Sequence, residues 1–354
     1  MRASRLARLL FAVYALLVVY ASLYPLSGWS DQGLSAFAYL TAPPPRYVTA
    51  FDLVSNLVGY LPYGFFCVLA LYPRVRGRHA LAAAALSGAA LSMLMEAAQS
   101  FLPTRVPSNL DLACNLAGAL SGAALGIRFA PWLLDEGPLK RLRYRIFLPG
   151  HAADLGLVLL ALWIFTQLNP AMLLFGAGDL RGFVGAQGGT AHAAALFISI
   201  EALTAAANLV AVALMASVIV APDQPVRLMV LALLGCALAV KTVAFAILVR
   251  AEHVFDWLTP GAVQGLALGL IGAFAALRLP RPWRLVLAAV LLMAATVLVN
   301  LAPANPYLAL TLGEWQPGRF LNFNGLTKLV TSAWPFAALA YLIWLATRRA
   351  RGAD

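Results

Sequence analysis

The chain has 354 residues, 62% of them hydrophobic and only 11% charged, with a mean hydropathy of +0.83. Soluble domains hold about 45–50% apolar and about 25% charged residues, so a soluble core is excluded and an all-α integral membrane protein is expected. The net charge of +11 falls in short gaps between apolar runs. That is the pattern of topology signals and anionic-lipid contacts, not of nucleic-acid binding.

Apolar runs of about 17 or more residues predict a polytopic bundle of about ten transmembrane helices, near 9–26, 51–72, 80–100, 109–129, 152–170, 193–220, 227–249, 259–278, 285–302 and 326–346. Arg2, Arg5 and Arg8 precede the first run, and Tyr20-Ala21-Ser22-Leu23-Tyr24-Pro25 ends it without a convincing small-residue cleavage site. It therefore reads as a retained helix, not a signal peptide. Arg74, Arg76 and Arg78, the cluster Lys140 to Arg145, Arg278 to Arg284 and Arg348 to Arg351 fall on the side of the N-terminus. Arg46, Arg105, Arg181, Arg250 and Arg319 fall on the other. Both termini are accordingly expected in the cytoplasm.

Three segments are expected: a four-helix membrane unit over 1–130, a basic cytoplasmic linker over 131–150 and a six-helix membrane unit over 151–354. The last admits a degenerate internal repeat. Ser22-Leu23-Tyr24-Pro25 has an echo in Gln167-Leu168-Asn169-Pro170, Asn56-Leu57-Val58 in Asn208-Leu209-Val210, Glu96 in Glu252, and the ladder Gly118, Gly122, Gly126 in Gly261, Gly265, Gly269. A third, partial copy begins at Phe323. Chance similarity among Leu-, Ala- and Gly-rich helices is the competing explanation.

The polar residues of the first unit come in pairs. Asp52 and Asn56 are four apart, as are Asp111 and Asn115, while Glu96 and Gln99 are three apart, so each pair shares a helix face. With the predicted topology all six lie at the outer leaflet, where a buried carboxylate or amide is costly. Asp52 and Asp111 also suit helix capping. Glu96 lies near the end of its helix, where the dipole repels an anion, and so needs a partner. Arg105, between Pro103 and Pro107, is the candidate: either it forms a structural salt bridge with Glu96, or it binds an anionic head group that Glu96 and Asp111 orient or exchange a proton with. Asn56, Gln99 and Asn115 would hydrogen-bond the head, or join helices, and Tyr60, Pro62 and Gly64 point to a bend beside it.

In the second unit Lys241 lies within an apolar run and is expected to pair with Glu201. The loop Gly313 to Gly325 is aromatic and turn-rich. Cys67, Cys114 and Cys236 match no redox or metal spacing and read as small buried hydrophobes. No metal-ligand or nucleophile motif appears, so neither a metal nor a cofactor is expected.

At Asn56-Leu57 with Tyr60, Pro62 and Gly64, Glu96 with Gln99 and Phe101, Pro103 and Arg105, and Asp111 with Asn115, Gly118 and Gly122, the chain resembles the VanZ-like membrane protein family over about residues 10–130. The resemblance implies a multi-pass protein of the bacterial inner membrane and cell envelope, in a family whose founding member is linked to low-level resistance to teicoplanin, a lipidated glycopeptide. Three functions stay open. One is an outer-leaflet cavity for an anionic lipid-linked or lipidated envelope molecule, such as a lipid-linked precursor or a lipoglycopeptide, in contact with membrane lipids. The second is an intramembrane acid/base enzyme on an envelope lipid, with Glu96 and Asp111 as acid and base. The third is a proton-coupled transporter or flippase that also uses Glu201 and Lys241.

Overall fold

A computed structural model describes residues 4–33, 35–43, 47–135, 137–181, 193–249, 251–303 and 321–350. Among these the fold is all-helical, with α1 (Arg5–Leu23), α2 (Ala50–Leu71), α3 (Gly77–Gln99), α4 (Asn109–Leu134), α5 (Pro138–Ile146), α6 (His151–Thr166), α7 (Ala194–Ser217), α8 (Val226–Leu248), α9 (Pro260–Ala276), α10 (Arg281–Leu301) and α11 (Leu321–Ala350). Eight of these, α1 to α4, α7, α8, α10 and α11, are long and apolar enough to cross a membrane, whereas α6 and α9 are apolar but shorter. Such a set belongs to a multi-pass membrane protein.

The helix starts follow from capping chemistry. The Ser4 side chain accepts from Ala7 N–H at α1, Ser108 accepts from Leu110 and Asp111 at α4, and Thr259 accepts from Ala262 at α9, with Pro260 following. Thr49 and Asp52 form a reciprocal capping box on α2. Each satisfies N–H groups that the helix itself leaves open.

The chain divides into two compact units, Met1–Arg145 and Ile146–Asp354. Within the stretch expected as a linker, α4 continues to Leu134 and α5 begins at Pro138. In the first unit α2 and α4 pack most closely. A Cβ on Gly118 would overlap the Leu57 carbonyl, one on Gly122 the Leu61 carbonyl, and one on Gly126 would come 3.1 Å from the Phe65 carbonyl. The partner advances four residues as the glycine does, so the helices run parallel with their backbones in contact. Gly64 meets Ala119 in the same seam, which accounts for this glycine by packing inside a continuous α2.

In the second unit α9 packs on α7 in the same way. A Cβ on Gly261 would lie 2.9 Å from the Ile198 carbonyl, one on Gly265 2.8 Å from the Ala202 carbonyl, and one on Gly269 3.1 Å from Ala206 Cα. These helices too run parallel. The remaining core gathers Trp163, Phe175, Leu209, Leu214, Phe245, Leu292 and Trp334. Two of the expected echoes are not realised: Leu209 stands opposite Gly269 and not Gly261, and Glu252 is exposed in a short 3-10 turn, unlike the buried Glu96. Arg46, Arg250, Arg319 and most of the loop before Gly325 lie outside the described residues, while the chain is already helical from Leu321. Of the three cysteines only Cys67 is buried, and Cys236 is exposed.

Candidate functional site

The polar residues of the first unit meet at the end where α2 and α4 begin. Asp52, Asn56 and Tyr60 recur every four residues on α2, Ser92 and Glu96 on α3, and Asp111 and Asn115 on α4, so each helix turns one polar stripe to its neighbours. Burial increases along the stripes. Asp52 is exposed, Asn56 and Asp111 are half-buried, and Tyr60, Ser92, Glu96 and Asn115 keep 5% or less of their surface.

Glu96 finds its partner in a backbone group. One of its carboxyl oxygens, Oε2, accepts the Ser108 N–H at 2.8 Å, so the acid at the end of α3 faces the N-terminus of α4, where the helix dipole favours negative charge. Asp111 is its electrostatic neighbour. The Asp111 carboxylate in turn interacts with the Asn56 side chain and lies close to that of Asp52. Deeper in, Asn115 Nδ2 donates to Ser92 Oγ at 2.9 Å. Tyr60 OH stands beside Ser92 and Glu96, yet it and Asn115 Oδ1 make no hydrogen bond to the described residues although both are buried.

Arg105 does not bridge to Glu96. Its Nε and Nη2 both donate to the Tyr24 carbonyl, at 3.2 and 2.5 Å, while Gln99 Nε2 donates to the Ser22 carbonyl at 2.8 Å. Together they hold the C-terminal carbonyls of α1, which a cation suits. Half-burial lowers the pKa of the Arg105 guanidinium. The loop beside it is tied to the segment after α1: Ser30 N–H donates to the Phe101 carbonyl at 2.9 Å, Ser100 Oγ to the Ala36 carbonyl at 3.2 Å and Asn109 Nδ2 to the Ala42 carbonyl at 2.8 Å. Asp52 does as a cap should, accepting from Thr49 N–H at 3.1 Å and Thr49 Oγ1 at 2.7 Å.

Residues 11–130 match the VanZ/LLP1 family model. No curated protein and no solved structure matches the chain. The VanZ-like stretch ends inside α4, so it spans the whole polar constellation and stops before the second unit begins.

Sequence reasoning missed two residues of this polar cluster. Ser92 lies one turn before Glu96, a spacing that placed it on the same face. Tyr39, in a 3-10 turn, donates its hydroxyl to the Met93 carbonyl at 3.1 Å. Burial and then the Glu96 charge raise the Tyr39 pKa, and nothing local in the sequence signals that contact.

In the second unit Lys241 is buried, and its Nζ donates to the Asn169 and Met172 carbonyls at 2.7 and 2.9 Å. Glu201 is an electrostatic neighbour, not an ion-pair partner in contact. Among the described residues no group of three or more His, Cys, Asp or Glu side chains is placed to hold a metal ion.

Proposed function

We propose that the VanZ-like unit binds the polar head of a lipid-linked or lipidated cell-envelope molecule in the outer leaflet of a bacterial cytoplasmic membrane. The protein would cross that membrane ten times, with α6 and α9 as short spans and both termini inside. One observation supports this best: a continuous series of polar side chains runs from exposed Asp52 through Asp111 to buried Glu96, and ends at two buried polar atoms, Tyr60 OH and Asn115 Oδ1, that no described residue satisfies. Buried polar groups without partners are costly, and ionisable residues such as Glu96 inside a membrane are candidates for a functional site.

In this site Glu96, Asp111, Asn56 and Asn115 contact the head, Tyr60 lies behind them, and Arg105 and Gln99 keep the end of α1 at the rim. An anionic head held by Arg105 was the expectation from sequence, but the Tyr24 carbonyl takes two of the guanidinium N–H groups, so acceptor groups dominate the contact. A lipoglycopeptide such as teicoplanin has both parts that the site requires, and a link to its resistance belongs to this proposal. Acid/base chemistry or proton-coupled transport finds support in the neighbouring carboxylates of Glu96 and Asp111. The parallel glycine ladders favour the second unit as a degenerate copy, with the register set by Gly118 on Leu57 and Gly261 on Ile198.

A photo-crosslinking residue at Asn56 tests the site in cells. It should yield adducts of one envelope-lipid class, whereas the same residue at exposed Val58 should capture the bulk lipid mixture. The same mixture at both positions would remove the head-group site.

A further inference from the structure

We infer that α5 lies on the membrane surface where α4 ends and binds the anionic head groups of glycerophospholipids there. Pro138 opens α5 at its first helical position, where its fixed φ suits a helix start. Arg143 and Arg145 close the last turn, where the dipole favours cations. Leu139, Leu142 and Ile146 follow one another at spacings of three and four and so share one face. Lys140, Arg141, Tyr144 and Arg145 occupy the other, Arg143 borders the apolar stripe, and the helix contains no acid. A helix of nine residues is marginal in water and is ordinarily held by packing its apolar face. Yet no residue of α5 is buried in the chain, and Leu139 and Leu142 are 38% and 46% exposed.

The place of α5 in the chain supplies the surface it lacks. About 20 helical residues cross the hydrocarbon core, so α4, which starts at Asn109 and has 26 residues, reaches the opposite interface near Phe129 and Trp132, both exposed. Aromatic side chains collect at that level, and α5 starts soon after, at Pro138. The chain is tied down on either side of it: the Tyr72 hydroxyl donates to Asp135, and the Ala221 N–H donates to the Ile146 carbonyl at 2.8 Å. Basic residues of other segments are taken up by the fold. Arg76 Nε donates to the Pro73 carbonyl at 3.0 Å, Arg281 Nη2 to the Val218 carbonyl at 2.8 Å and Arg284 Nε to the Leu279 carbonyl at 2.7 Å. Arg141 and Arg145 are instead exposed, on a helix whose apolar stripe the chain leaves uncovered. That is the pattern of an interfacial helix, with its stripe against the acyl chains and its cations on the phosphates.

The test uses the full-length protein with Cys114→Ala and Cys236→Ala, Cys67 being buried, and an environment-sensitive fluorophore on Leu142→Cys. It is reconstituted into nanodiscs of phosphatidylcholine alone or with phosphatidylglycerol. The expected result is a blue-shifted, bilayer-like spectrum with phosphatidylglycerol that returns to the aqueous one in phosphatidylcholine and at high salt. At the phosphatidylglycerol fraction that half-saturates the shift, Arg141→Gln and Arg145→Gln should each lower the ratio of bilayer-facing to water-facing fluorophore about fivefold, the effect of one cation near an anionic surface. Both residues are exposed, so these variants should keep the fold. An equal blue shift in phosphatidylcholine alone would overturn the anionic recognition. An aqueous spectrum in both lipids would overturn the membrane contact and give the face to a soluble partner.

Discussion

Arg105 serves α1 before it serves any ligand. Its two N–H contacts and that of Gln99 hold carbonyls 81 and 77 residues away, and a hydrogen bond from a charged donor contributes about 1.5–3 kcal/mol. Arg105→Ala should therefore lower thermal stability in detergent by an amount in the lower part of that range, since the residue is half exposed. Gln99→Ala should cost about 1 kcal/mol, and the double variant should show coupling because both hold one helix end. Unchanged stability in Arg105→Ala would contradict the brace and return the residue to anion binding. Glu96 was legible in the sequence as an anomaly, an acid where the dipole opposes it, but its partner was not. A pattern of side chains cannot show a backbone N–H such as that of Ser108, and the nearest cation in sequence, Arg105, turns to Tyr24 instead. Lys241 repeats the lesson, with two backbone carbonyls where Glu201 was expected.

Asp179, in the loop after α6, gives a pH prediction. Burial alone would raise its pKa, but hydrogen bonds from the Arg181 side chain and N–H, with the charges of Arg181 and Lys328, outweigh that and leave it lowered. The two side chains pair at 2.8 Å. A carboxyl whose folded pKa is depressed stabilises the fold above its unfolded value, and that contribution is lost as pH falls through the folded one. The second unit should thus lose stability as pH drops below the ordinary Asp range, and Asp179→Asn should be less stable at neutral pH with a flatter acid limb. Thermal melts of both proteins across acid pH check the sign; a parallel acid limb in Asp179→Asn would contradict it.

Among the elements, the α2–α4 seam is the least tolerant of added volume. Gly122→Ala places a methyl group on the Leu61 carbonyl, where backbone meets backbone and neither side chain can yield. Overpacking of this kind costs about 1–3 kcal/mol, occasionally more. Gly59→Ala, on α2 with open space around it, should be neutral or slightly stabilising. Equal melting temperatures for the two variants in one detergent would contradict the seam. The helices themselves were legible, because a long apolar run leaves no other way to satisfy its backbone in lipid. The glycine ladder was legible as a packing seam from its four-residue spacing. What could not be read was the partner and register: Asn56-Leu57-Val58 resembles Asn208-Leu209-Val210, yet the ladders set Leu57 and Leu209 at different rungs. Pro62 and Gly64 suggested a bend; Pro62 does lie inside α2, and Gly64 has a packing role that the sequence did not show, admitting Ala119.

At the scale of the whole molecule, the VanZ/LLP1 match covers residues 11–130 and the second unit lies beyond it. The first unit gathers acids at paired helix N-termini and stays polar deep into the bundle, whereas the second sets its buried Lys241 on carbonyls near Glu201. The head-group recognition proposed for the first unit should therefore survive changes in the second that leave it folded. The most direct test is native mass spectrometry of the protein purified in mild detergent, comparing co-purifying lipids of the wild type with those of Glu96→Gln and Asp111→Asn at matched folding. A lipid class bound by the wild type and depleted in both variants is the predicted result. Identical lipid profiles in all three would contradict a head-group site at the start of α2 and α4.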